Sequence, residues 1–140
     1  HDCVVGNHVI MANSVALGGH VTVGDYANLG GLAAAHQFVR IGAYTMIGGL
    51  AGVSQDIPPY MIASGERARL YGLNQIGLKR HGFSSEVIQG LKKAYRMIWR
   101  ETSVFSEGIA RVRKEMEPFP ELEALLDFIG SSKRSIARAE

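Results

Sequence analysis

His1 and Asp2 stand side by side at the start of the chain. An imidazole next to a carboxylate is the pair that general-base catalysis uses: one ring nitrogen takes a proton while the acid orients the ring and stabilises its cation. Gly19 stands above His1 in the numbering as Gln37 stands above Gly19, one equal step apart. His20 and Phe38 follow Asp2 in the same way. If the chain returns on itself once per such step, His1 lies under Gly19 and Asp2 under His20. A side-chain-free position above an imidazole leaves a notch with a bare backbone N–H, a donor suited to a developing oxyanion. Each residue also has an ordinary reading: a solvated surface histidine, a structural hydrogen bond between coils, a glycine relieving a corner. The functional reading rests on the combination. His8 falls on another face, beside Tyr26 and Tyr44, and reads as structural. His36 is one residue from the His1 column and could line the same groove.

Such a column requires a coil of matching length, and the sequence supplies it. Read in sixes from Val5, the chain gives VGNHVI, MANSVA, LGGHVT, VGDYAN, LGGLAA, AHQFVR, IGAYTM, IGGLAG and VSQDIP. The first position is always apolar, the second is Gly in six of these nine hexads, and the fifth is Val, Ala, Thr or Ile throughout. A period of six fits neither a helix nor a meander. It fits a solenoid of short strands, with the first position stacked inward, the fifth packed at the corner and Gly relieving crowding. Three hexads make one turn of a triangular prism, giving coils at 5–22, 23–40 and 41–58, spaced by about 4.8 Å. The step from His1 to Gly19 is one such turn. On a second edge the third position stacks Asn13, Gly31 and Gly49, with Leu32 and Leu50 beside the glycines. This is a candidate acyl-chain groove, or ordinary corner glycine.

Pro58-Pro59 is expected to end the repeat, because proline cannot donate to a ladder. Residues 67–83 read as a connector with turn glycines, and 84–140 as an α-helical carboxyl-terminal domain following a β-helix over 1–66. Ser84 or Ser85 can cap a helix with Val87, Ile88, Leu91, Tyr95, Ile98 and Trp99 on one face. A second helix is expected over 106–117, a third from Pro120 to Gly130, and a last short one around Ile136.

Hydrophobic residues make up 46% of the 140 and charged residues 20%, which excludes general disorder. No apolar run approaches the ~18 residues that span a bilayer, and no signal-peptide pattern opens the chain. The opening falls inside a repeat, as expected of a fragment. The lone cysteine, Cys3, cannot form an internal disulfide, has no zinc-type spacing and fits a reducing cytoplasm. The net charge of +2 is unevenly spread: Arg40 is the one Lys or Arg among residues 1–66, and the other fourteen follow. That excess is either a solvated helical surface or a docking surface for an acidic partner, with Arg67, Arg69, Lys79, Lys92, Lys93 and Arg96 as candidate contacts. A zinc site is the chemical competitor, since His1, His20 and His36 could supply three imidazoles.

The hexads, the HDC at 1–3, the LGGH at 17–20, the AAHQF at 34–38, the DIPPYMIASG at 56–65 and above all the GLNQIGLKRHGF at 72–83 carry a resemblance. Over essentially all 140 residues the chain resembles the acyl-carrier-protein–UDP-N-acetylglucosamine O-acyltransferases, which open lipid A synthesis. The resemblance implies a cytoplasmic homotrimer built on a left-handed parallel β-helix, with active sites between adjacent subunits. Period alone gives no handedness, and parallel β crossovers are normally right-handed. It implies transfer of a 3-hydroxyacyl group from acyl carrier protein to the sugar 3-hydroxyl of UDP-N-acetylglucosamine. No metal, cofactor, nucleic acid or transmembrane segment is implied. On the matching motifs His1 is the general base, Asp2 its partner and Gly19 the oxyanion donor. His20 is a sugar contact, His36 and Gln37 are groove residues, and Asn74 and Arg80 bind the nucleotide. His81 stands where the family often has Arg. The glucosamine N-acyltransferase of the same pathway and a zinc-dependent β-helix enzyme of the carbonic anhydrase type are the alternative readings. The helical tail and GLKRHGF favour the O-acyltransferase.

Overall fold

The computed structural model describes residues 1–140. Nine two-residue strands follow one another: β1 (Val4–Val5), β2 (Ile10–Met11), β3 (Ala16–Leu17), β4 (Thr22–Val23), β5 (Asn28–Leu29), β6 (Ala34–Ala35), β7 (Arg40–Ile41), β8 (Met46–Ile47) and β9 (Gly52–Val53). They form three parallel ladders, β1-β4-β7, β2-β5-β8 and β3-β6-β9. The register is three hexads throughout, for example Val4 on Thr22, Ile10 on Asn28 and Ala16 on Ala34. This is the parallel β-solenoid that the hexads predict. Val23, Leu29, Ile41, Ile47 and Val53 at the first position are buried, as are Val21, Ala27, Ala33, Val39 and Ala51 at the fifth. Val4 and Ile10, in the first two strands, are 63% and 60% exposed.

The glycines relieve crowding as expected, while the turn itself is made by another residue. The second-position glycines keep clear of the next coil: a Cβ on Gly18 would sit 2.6 Å from the Gln37 nitrogen, and one on Gly24 2.6 Å from that of Ala43. The turn itself falls on the fourth position, where His8, Ser14, His20, Tyr26, Leu32, Phe38, Tyr44 and Leu50 all have positive φ, from 56° to 66°. These residues sit in a conformation that normally favours Gly or Asn. The solenoid thus spends its glycines on close approach and accepts backbone strain at the corners.

The prolines do not end the ladder. Strand β10 (Met61–Ser64) pairs with β8, Ile62 on Met46, so this last coil is shorter than those below it. The reason is positional. Pro59 lies in the column of Asp25 and Ala43, third-position residues whose N–H groups make no backbone hydrogen bond. Pro58 lies above Gly42 at the end of its ladder, so neither missing N–H breaks a pair.

The stretch 67–83 is more than a connector. It holds β11 (Arg69–Leu73), antiparallel to β10, and helix α1 (Gln75–Arg80) capped by Asn74. Helix α2 (Ser85–Tyr95) starts at Ser84, whose hydroxyl accepts from the Val87 N–H at 3.1 Å, and runs into a π-helical turn at Arg96–Arg100. Helices α3 (Phe105–Glu115) and α4 (Pro120–Gly130) follow. The expected helix around Ile136 does not form. Ile136 bridges Asp56 and Ala139 bridges Leu70, so the tail returns to the solenoid as extended chain. Asp56, only 1% exposed, is held there by the Arg40 backbone N–H at 2.9 Å, the Arg40 guanidinium at 3.3 Å and the Ser132 hydroxyl at 2.7 Å. A buried carboxylate needs that full set of partners. One continuous core runs from Val21 to Ala137 and joins coils to helices.

Candidate active site

Position and backbone shape bring His1, Asp2, Gly19 and His20 to one corner of the prism. Asp2 and His20 both occupy the left-handed fourth position, with φ of 60°. That geometry turns the Asp2 carboxylate back to its neighbour, where Oδ2 accepts from His1 Nδ1–H at 2.7 Å. The same oxygen is 3.8 Å from His20 Nε2. With Nδ1 donating to Asp2, Nε2 of His1 carries the lone pair and is the basic atom. It points at Gly19, where an added Cβ would lie 2.8 Å from Nε2 and 2.9 Å from Cε1. Any other residue at 19 would displace the ring. The Gly19 N–H donates to no acceptor of the chain. His1 is open to solvent.

The two histidine rings meet edge to face at 5.3 Å, and His20 stacks on Phe38 at 4.8 Å with 3° between planes. Phe38, 54% exposed, is a site neighbour that the sequence reading placed in the column without a role. Its large apolar ring at an exposed corner was the available signal. The Gln37 backbone lies over Gly18, its nitrogen 2.6 Å from where a Cβ there would sit. The ligand-bearing groups that cluster are His1, Asp2 and His20, with atoms within 4.8 Å of one another. His36 is not in that cluster, so the three-histidine zinc set is not assembled within one chain.

His36 instead lines a cavity of about 440 Å³ with Arg67, Arg69, Arg134 and Arg138. Asn74 and Arg80 line a larger one, about 840 Å³, on the next corner, with Ile10, Tyr26, Met46 and His81. His8 and Tyr26 in its wall begin an aromatic ladder: His8 on Tyr26 at 4.9 Å, Tyr26 on Tyr44 at 5.0 Å and Tyr44 on Tyr60 at 6.2 Å. His81 meets Tyr26 and Tyr44 edge-on. Burial, with help from Glu121 and Tyr44, pushes the Tyr60 phenol up to about 12. The Asn74 side chain is engaged at both ends, donating to the Tyr44 carbonyl at 3.0 Å and accepting from Gly77 N–H at 3.3 Å. The β1-β4-β7 face separates this corner from His1, so one chain does not bring the two groups together. Gly31 and Gly49 stack on the third corner, where a Cβ on Gly49 would lie 3.3 Å from the Gly31 carbonyl oxygen. Leu32 and Leu50 beside them are 55% and 71% exposed, and the glycines line no enclosed cavity of the single chain.

Known proteins share both the sequence and this fold. The family model described as UDP-N-acetylglucosamine O-acyltransferase, domain 2, matches residues 56–137. An acyl-[acyl-carrier-protein]–UDP-N-acetylglucosamine O-acyltransferase of Thermodesulfovibrio yellowstonii is 57% identical over 138 residues, covering 99% of this chain and 54% of that protein. Its counterpart from Thiobacillus denitrificans is 46% identical with the same coverage. The crystal structure of the UDP-N-acetylglucosamine acyltransferase from Bacteroides fragilis superposes with a TM-score of 0.96 at 40% identity, over 99% of this chain and 54% of that one. The chain therefore spans about half the length of the relatives it matches. On these matches, the chain belongs to the UDP-N-acetylglucosamine O-acyltransferase family.

Proposed function

We propose that this chain carries the catalytic corner of an acyltransferase that moves a 3-hydroxyacyl group from acyl carrier protein to the 3-hydroxyl of UDP-N-acetylglucosamine, the first step of lipid A biosynthesis. The observation that supports this most is the close approach of His1 Nε2 to Gly19, whose N–H has no acceptor in the chain, with Asp2 holding the far side of the ring. In this reading His1 removes the proton from the sugar hydroxyl as its oxygen attacks the thioester carbon. The carbonyl oxygen gathers charge against the Gly19 N–H, and the imidazolium then returns the proton to the departing thiolate. Asp2 stabilises the imidazolium in between. No cofactor takes part.

His20, His36 and Gln37 bind the sugar and the groove contents, and Asn74 and Arg80 bind the nucleotide, Arg80 through charge-assisted hydrogen bonds to its diphosphate. Because Asn74 and Arg80 sit on a different corner from His1, the complete site takes both from neighbouring copies in a homotrimer. The prism is read as left-handed, the helices after 84 as its carboxyl-terminal domain, Gly31 and Gly49 as the acyl groove, and the cytoplasm as the compartment. No helix is long and apolar enough to cross a membrane.

The His1, Asp2 and His20 cluster also supports a second reading, a metal-dependent transfer. Full-length protein incubated with 3-hydroxyacyl carrier protein and UDP-N-acetylglucosamine, with and without a chelator, separates the two. The general-base reading expects the O-acylated nucleotide sugar in both arms, and loss of product with the chelator transfers the chemistry to the metal.

A further inference from the structure

Arg67 and Arg69 flank the start of β11, and Arg134 and Arg138 lie in the returning tail, yet all four line one cavity of about 440 Å³. No carboxylate lines it. Four of the six other arginines, Arg40, Arg96, Arg111 and Arg113, pair with an acid. None of the four cavity arginines has an acid within salt-bridge distance. Four guanidinium groups around one small space repel one another, and the arrangement is stable when an anion occupies it. We propose that this cavity is a binding site for a phosphoryl anion, a diphosphate or a phosphodiester, held between the last coil and the tail.

The walls are built rather than loose. Arg134 donates to the Ser54 carbonyl at 3.1 Å, and Gln55 donates to the Ser135 hydroxyl at 2.8 Å. Arg138 donates to the Ser103 carbonyl at 2.9 Å with its guanidinium 4.4 Å above the Phe105 ring. The Arg134 and Arg138 contacts each use one N–H of a guanidinium that carries five, so the remaining donors are free for phosphoryl oxygens. Those fixed guanidinium forks suit bidentate phosphate recognition, which lysines on flexible stems would not. The volume exceeds the ~30 Å³ share of one water many times over, room for two linked phosphoryl groups or one with an organic substituent. His36 and Arg67, both exposed, belong to the same lining. An anion bridging Arg69 and the tail arginines would fasten the tail to the solenoid and stabilise the fold by mass action.

The test is calorimetric titration of the full-length protein with inorganic pyrophosphate and, separately, with 4′-phosphopantetheine, at low and at high salt. Binding is expected with at least one probe, weakening with salt as counter-ions screen the cavity. In Arg67→Gln/Arg69→Gln it should weaken by about tenfold or more, since each lost charge-assisted bond is worth a measurable factor. Arg138→Gln tests the tail side should the double variant fold poorly. Preference for pyrophosphate would mark a free diphosphate as the source, and preference for phosphopantetheine the prosthetic arm of a carrier. No binding of either at millimolar concentration, or equal binding by the variants, would overturn the proposal. That failure would leave the acyl-transfer reading intact, because His1, Asp2 and Gly19 do not line this cavity.

Discussion

At the scale of single residues, the candidate chemistry hangs on the absence of a side chain. Gly19 lets the His1 ring approach so closely that even a methyl group would collide with Nε2. Because His1 is largely exposed, its ring can swing outward, so Gly19→Ala should fold normally and lose activity. A displacement of about 1 Å of a catalytic group can cost on the order of 100-fold. A kcat reduced by that order with an unchanged circular dichroism spectrum is the expected result. Counting by whole coils was enough to place Gly19 over His1 and His20 over Asp2, since both columns depend only on the period. What the count could not give is the direction of each side chain. Asp2 reaches His1 because its φ is 60°, and nothing in the identity of an aspartate announces that conformation.

At the scale of the coil, each edge of the prism repeats one structural solution, so a single change has a local address. In the proposed acyl groove, Gly49→Met would fill the space outside the stacked Gly31 and Gly49 while leaving the His1 corner untouched. Each methylene buried along such a groove is worth roughly 0.8 kcal/mol, so a blocked groove should favour acyl chains shorter by several carbons. Competition between short and long 3-hydroxyacyl carriers, scored by product mass, checks this. An unmoved preference would place the chain elsewhere. On the tyrosine edge the effect is on stability. Burial raises the Tyr60 pKa from 10.0 to about 12, so folding favours its neutral form. That contribution is complete below pH 10 and is lost as the pH rises towards 12. Tyr60→Phe should therefore show a smaller fall in urea midpoint between those pH values than the parent chain. The shortened coil around Pro58 and Pro59 was not legible, because a proline's cost depends on whether its missing N–H had a partner. At 59 the column above Ala43 needs none.

At the scale of the whole molecule, the helices and the tail complete the core of the solenoid. The three long helices were legible from period and caps: Ser84, Pro120 and Gly130 mark boundaries that the chain obeys. The tail was not, since its pairing of Ile136 with Asp56 reaches across more than half the chain and leaves no local pattern in the sequence. The basic excess of this half also divides once the fold is known. Arg96 is engaged by Glu101 at 3.0 Å and Arg67 and Arg69 face the cavity, leaving Lys79, Lys92 and Lys93 as exposed, unpaired charges. Lys79→Glu/Lys92→Glu/Lys93→Glu should raise the KM for an acidic acyl carrier more than for the nucleotide sugar, an effect that shrinks as salt rises. An equal KM at low salt would return these lysines to a plain solvated surface. The central claim, that His1 is the general base, is tested most directly by turnover of full-length His1→Ala, followed by the mass of the acylated nucleotide sugar. Activity should fall by about 10²–10⁴-fold in a protein that keeps its oligomeric state. Activity within a few-fold of the parent would contradict it.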